Sequence, residues 1–326
     1  MKRREFISIL CGTVAAALPL RASAQQPNKV WLIGFLGAAP PTPAMLSALR
    51  EGLRERGYLE GKNLSIDVRW PKGAPEQISD VAAELVRSGV DIIVAWASPS
   101  VFAARRATAT IPIVMVGVGD PVGLGFVAGL ARPGGNVTGV STVSLDLSGK
   151  LLELLTEIVP GIKRVGVVRN PNNPALATIV RETTEAIRAL GMQIEVADAV
   201  AAEDFERAFT YLSAQGVRGV LLLPDPSIIE HRVRIAELAQ KMRLPTAFQR
   251  QENVDAGGLL SYGPNLNEQL GHAAVYVDRI LKGARPGELP VEQPTKFALA
   301  INIKTAKALG LNVSPSLLAR TDDVIE

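Results

Sequence analysis

The chain has 326 residues, 47% of them hydrophobic and 21% charged, and a formal net charge of +3. Lys2, Arg3, Arg4 and Arg21 against Glu5 account for all of that charge, so the residues after position 24 carry 31 basic and 31 acidic side chains. A neutral chain with interspersed signs offers no basic face to nucleic acid or an anionic membrane, and its length can supply two separate cores.

The first 24 residues have the form of a secretory signal peptide: Lys2, Arg3 and Arg4, an apolar stretch over 6–20, then Ala22-Ser23-Ala24. The stretch is about 15 residues, short of the roughly 20 needed to span a bilayer, so cleavage and export to the periplasm are expected. Arg3-Arg4-Glu5-Phe6-Ile7 also resembles a twin-arginine signal, and either export route fits. Cys11, the only cysteine, follows Ile9-Leu10 inside the apolar stretch, where a lipid-bearing cysteine would follow a small residue. Cleavage after Ala24 therefore leaves a chain without disulfides, thiol nucleophiles or thiolate metal sites.

From Lys29 onward, short β-branched runs alternate with stretches of helical length, the pattern of parallel sheets covered on both faces. Strands are expected at 30–36, 64–70, 91–97, 111–118 and 137–140. A second set follows at 164–169, 193–197, 219–223, 245–248, 258–261 and 295–303. Helices are expected at 44–56, 78–88, 101–108, 145–158, 175–190, 202–215, 228–242, 266–281 and 304–309. The pattern reaches Arg132-Pro133-Gly134-Gly135-Asn136 and restarts after Thr142. The fold class is thus α/β, with two doubly wound parallel-sheet lobes.

Four apolar strands end in a hydrogen-bonding residue followed by proline: Ser98-Pro99-Ser100, Asp120-Pro121, Asn170-Pro171 with Asn173-Pro174, and Asp225-Pro226-Ser227. Such pairs are favoured where a helix begins, so each is read as a strand-to-helix turn at the carboxyl end of a parallel strand, where open α/β sheets bind ligands. The same pairs cap helices in many proteins without touching a ligand. Their division between two halves favours a shared cleft. Ser98 and Ser100 are expected to hold a carboxylate or carbonyl oxygen. Asp120, Asp225 and Glu252 are the candidate counter-charges for an amine, Tyr262 offers a ring and hydroxyl, and Phe35 before Gly37 offers an apolar wall. On this reading Asp225→Ala weakens ligand binding more than it lowers the melting temperature.

The order of Ile33-Gly34-Phe35-Leu36, Gly57-Tyr58 within 54–61, 116–120 with Pro121-Val122-Gly123, Gly134-Gly135-Asn136-Val137-Thr138-Gly139-Val140, 259–264 and 302–311 resembles one known family across nearly the whole exported chain. It is the ABC-transporter substrate-binding family related to tryptophan- and tyrosine-binding lipoproteins. The resemblance implies a type I periplasmic-binding fold with three crossovers, near 140–144, 261–264 and 290–295, which divide the chain into a first lobe of 29–141 with 264–290 and a second of 142–263 with 291–326. It also implies ligand contacts near Ser98–Ser100, Asp120, Asn170–Asn173, Asp225 and Tyr262. A monomer binding an amino acid or related carboxylate or amide and docking on an inner-membrane ABC permease follows. The lipoprotein members' attachment signal is absent.

Other function classes fare less well. An enzyme needs a nucleophile, proton carrier or metal cluster, yet His231 and His272 are the only histidines and neither sits in a catalytic motif. No catalytic residue, metal ligand or cofactor is assigned. A repressor of the lac type would need a DNA-binding headpiece where the signal peptide stands. An accessory protein that hands a ligand signal to a membrane receptor remains the alternative.

Overall fold

The computed structural model describes residues 29–72, 75–142 and 144–326, with the backbone alone at 75 and 144–146. The expected signal peptide and Cys11 lie outside the described residues.

The first half alternates strand and helix: β1 (Trp31–Gly37), α1 (Pro43–Arg54), β2 (Leu64–Arg69), α2 (Ile78–Arg87), β3 (Ile92–Trp96), α3 (Ala97–Ala107), β4 (Ile113–Val118) and β5 (Val137–Ser141). All five strands are parallel in the order β2-β1-β3-β4-β5. Every residue of β3 is buried, as a central strand covered on both faces requires. Helix α1 starts where Thr42 Oγ1 accepts from the Met45 amide ahead of Pro43, the arrangement that satisfies an orphan N–H and tolerates a missing one.

The second half continues α4 (Ser144–Ile158), β6 (Arg164–Arg169), α5 (Leu176–Ala189), β7 (Gln193–Asp198), α6 (Ala202–Ala214), β8 (Val220–Leu222), α7 (Pro226–Glu230), α8 (Arg232–Lys241), β9 (Thr246–Phe248), α9 (Gln251–Asp255) and β10 (Leu260–Gly263). Strands β7-β6-β8-β9-β10 repeat the first lobe's order. After α10 (Leu266–Leu281), β11 (Ala298–Asn302) joins β10 antiparallel; α11 (Ile303–Ala308) and α12 (Pro315–Leu318) then lead to β12 (Asp323–Ile325) beside β11. The single helix expected over 228–242 is two, divided at His231, whose ring tilts over Phe205 at 5.4 Å.

Helix α10 follows the second lobe's strands in sequence but packs on the first lobe. Leu266, Leu270, Tyr276 and Val277 join the core of β1, β3 and α1, and each such side chain contributes about 1.5–3 kcal/mol by burial. At the α1–α10 crossing, the Tyr58 hydroxyl donates to Asp278 at 3.0 Å. Burial and that bond push the Tyr58 phenol up to about 12. A phenol that keeps its proton in the folded state gives stability that is complete below the unfolded value near 10 and is lost as pH rises toward 12. Tyr276 is pushed the same way. Urea titrations across that window should therefore show a shallower loss for Tyr58→Phe than for the parent, with Tyr276 preserving part of the slope; parallel curves would contradict the assignment.

Three crossings join the lobes. At the third, expected over 290–295, Val291 is buried in the first lobe's core and Glu292 still pairs along β5. The Ser141 amide donates to Glu292 O at 2.9 Å, and the Glu292 amide to Gly139 O at 3.1 Å. His272 on α10 meets the Glu292 carboxylate at 2.6 Å beside this crossing.

Candidate functional site

The carboxyl ends of β3 and β4 face those of β8 and β9, and two adjoining clefts lie between the sheets. Ala97, Gly117, Pro224, Pro226 and Arg250 line both, so residues of each lobe share one space. The clefts enclose about 410 and 680 Å³, partly open to solvent. Ile229 of the second lobe packs into the first lobe's core cluster with Trp96 and Ala97. The lobes are thus in contact across the cleft.

Ser98 does not cap its helix. Helix α3 begins one residue earlier, at Ala97, after Trp96, which has no side-chain acceptor for the first turn. Ala97 takes φ +69, a conformation costly for a residue with a Cβ and characteristic of functional turns. The first turn of α3 is left uncapped at the cleft, the geometry that attracts an anion. Ser98 lines the larger cleft, and its hydroxyl makes no hydrogen bond among the described residues. Ser100 is fully buried, its hydroxyl without a partner among the described residues, and Pro99 lies on a broad outer mouth.

Asp120-Pro121 opens a tight turn, with no helix behind it: Asp120 Oδ1 accepts from the Gly123 amide at 2.8 Å, and the Leu124 amide returns to Asp120 O at 3.0 Å. The other oxygen, Oδ2, has no hydrogen-bond donor among the described residues, and Asp120 lines the larger cleft. Leu124, Leu176 and Ile179 add aliphatic walls there.

Asp225 caps α7 as its sequence indicates, and does more. Its carboxylate receives four bonds, from Ser227 N at 3.0 Å, Ser227 Oγ at 2.7 Å, Asn170 Nδ2 at 3.1 Å and Asn173 Nδ2 at 2.8 Å. The Asn170 and Asn173 carbonyl oxygens accept in turn from the Asn172 and Ala175 amides. Helix α5 starts only at Leu176, so these asparagines shape the loop before it. The three residues border the cleft as a mutual brace. The carboxylate with an open oxygen is Asp120.

Four expected contacts fall elsewhere. Phe35 is fully buried between β1 and α1, and Gly37 is buried at the strand end, where a Cβ would meet Ala39 O at 2.7 Å. Tyr262 stacks on Phe297 at 6.0 Å. Glu252 faces a separate recess with Asp255 and Asn265, because α9 turns it away from β8.

Arg250 was not anticipated. It follows Thr246-Ala247-Phe248-Gln249 directly, a charged residue at a parallel strand's carboxyl end, but lacks the proline that marks the other turns. It is 9% exposed. Burial lowers its guanidinium pKa from the ordinary value, with Glu252 opposing the shift. Nη1 donates to Pro264 O at 3.1 Å, while Nη2 lies 3.4 Å from where a Cβ on Gly117 would stand. Gly117, at φ +73 in a bulge of β4, leaves the room.

With this geometry in view, comparison with known proteins is informative. The profile of the family described as ABC transporter substrate binding protein matches residues 39–325. The chain belongs to that family. The tyrosine-binding protein of Clostridioides difficile (strain R20291) is 29% identical over 264 residues, covering 80% of this chain and 75% of that one. A conserved domain protein of Vibrio cholerae superposes at TM-score 0.85 with 29% identity, over 91% of this chain and all of that one. The ABC domain of Streptococcus pneumoniae in complex with L-Trp superposes at TM-score 0.84 with 25% identity and the same coverage. The two lobes are those of a type I periplasmic binding protein.

Proposed function

We propose that this family member is the periplasmic solute-binding component of an ABC importer, exported by its N-terminal signal and closing on an amino acid between its lobes. One observation carries the reading: Ala97 and Gly117 of one lobe and Pro226 and Arg250 of the other line the same clefts. An α-amino acid suits the polarity, with its ammonium toward the open oxygen of Asp120 and its carboxylate toward the α3 first turn. The aliphatic walls take the side chain. The tyrosine-binding and L-Trp-bound relatives support large apolar side chains as first probes.

Binding does its work by shifting a hinge equilibrium, and only the ligand's preference for the closed form can shift it. The closed form would then dock on a membrane permease. L-tryptophan, L-tyrosine and L-leucine should be titrated against the stripped protein by calorimetry and thermal melting. A ligand at 100 times its Kd raises stability by about 2.7 kcal/mol. No heat and no shift from any α-amino acid would reject the amino-acid reading.

A further inference from the structure

An arginine offers five N–H donors and holds its charge under all ordinary conditions. Arg250 spends one bond on a backbone carbonyl, is nine-tenths buried, and feels the Glu252 carboxylate only at a distance, without an ion pair among the described residues. Stripping water from a cation with no anion paired to it is costly. Its burial depends on both lobes, because the residue comes from the second lobe while its guanidinium ends beside Gly117 of the first. Across the same cleft, α3 presents an uncapped first turn begun by a strained Ala97. Two independent features that call for negative charge face one cavity, and the Asp225 carboxylate is committed to four other donors.

We propose that Arg250 is an anion-gated latch: the ligand's carboxylate neutralises it against the first turn of α3, and without that carboxylate the lobes do not close. This rests on the cleft being the ligand site and adds the class of ligand, a molecule with a free planar carboxylate able to meet the guanidinium fork. An open cleft hydrates the guanidinium. Closure strips that water, and the carboxylate replaces it. The gate therefore supplies the differential affinity for the closed form that ligand-driven closure requires.

The test uses the full exported protein, unfolded and refolded to remove any carried ligand, and small-angle scattering of the parent, Arg250→Met and Arg250→Gln. The stripped parent should be extended, whereas both neutral variants should be as compact as a ligand-closed protein with nothing bound. Either variant suffices if the other does not fold. Equal radii for the stripped parent and the folded variant, whether extended or compact, overturn the latch. In a second arm, L-tryptophan, L-tyrosine and L-leucine are compared with their carboxamides. Any of them that binds the parent should lose about 30-fold or more in affinity as the carboxamide, and most of that difference should disappear in Arg250→Met. A carboxamide as tight as its parent amino acid overturns the proposal. If none of the three binds while the neutral variants still close, the latch stands and the choice of an amino acid as ligand falls.

Discussion

Replacing Asp225 by alanine should lower the melting temperature by roughly 10 °C, the shift expected when a few kcal/mol is lost from a chain of this size. The substitution removes a helix cap, typically about 1 kcal/mol, and strands the Asn170, Asn173 and Ser227 donors, each costing about 1–3 kcal/mol if left buried and unpaired. Some will find water, so a total near 3–4 kcal/mol is reasonable by the same measures. The sequence alone suggested a binding defect larger than the stability defect. The bonds reverse that order, because the donors that saturate Asp225 come from its own lobe. Urea unfolding of ligand-free protein is the decisive measurement, and a shift below about 2 °C in a parallel melt would mean that the brace contributes little.

Gly139→Ala should destabilise by about 3–5 kcal/mol, in the range reserved for steric conflict inside a core. Gly139 takes φ +131, and a Cβ there would stand 2.3 Å from Met115 O and 2.7 Å from Met115 N. Those are backbone atoms of β4, held between β3 and β5, and cannot swing aside as a side-chain tip would. The Gly139 carbonyl also accepts from the Glu292 amide, so the strain would reach a crossing segment. Gly135→Ala is the control: nothing lies within 4 Å of its Cβ position. Equal unfolding midpoints for the two alanine variants would refute this account of the crossing.

Much of the architecture was legible because parallel strands buried on both faces read as unbroken apolar runs. The run at 164–169 coincides with β6, and 111–118 differs from β4 only at its start. Short elements escaped. Helix α9 has five residues and β12 has three, too few to display a period, so the turn that presents Arg250 left no pattern. The proline pairs located loops at the cleft more reliably than they described them. Only Asp225-Pro226 caps a helix; Asp120-Pro121 closes a turn, the asparagines precede their helix, and Ser98-Pro99 lies inside one. Side-chain direction was the other gap. Phe35 and Tyr262 stand at strand ends, yet the pleat and the neighbouring helix turn Phe35 into the core and Tyr262 onto Phe297.

These observations connect the fold to ligand capture. Two sheets with one strand order set their carboxyl ends face to face, and α10 and the Glu292 pairing tie the returning chain to the first lobe. On the proposed function, opening would rotate the lobes about the crossings near Ser141, Gly263 and Glu292 and draw Ile229 out of the first lobe's core cluster.

The most direct test of the account is a crystal structure of the protein carrying whatever small molecule accompanies it from its native cells. The account predicts that molecule between the lobes, with a carboxylate on Arg250 and the first turn of α3, and the open oxygen of Asp120 facing its amine. A ligand seated outside the interlobe cleft, or one inside it that leaves Arg250 without an anion, would contradict it.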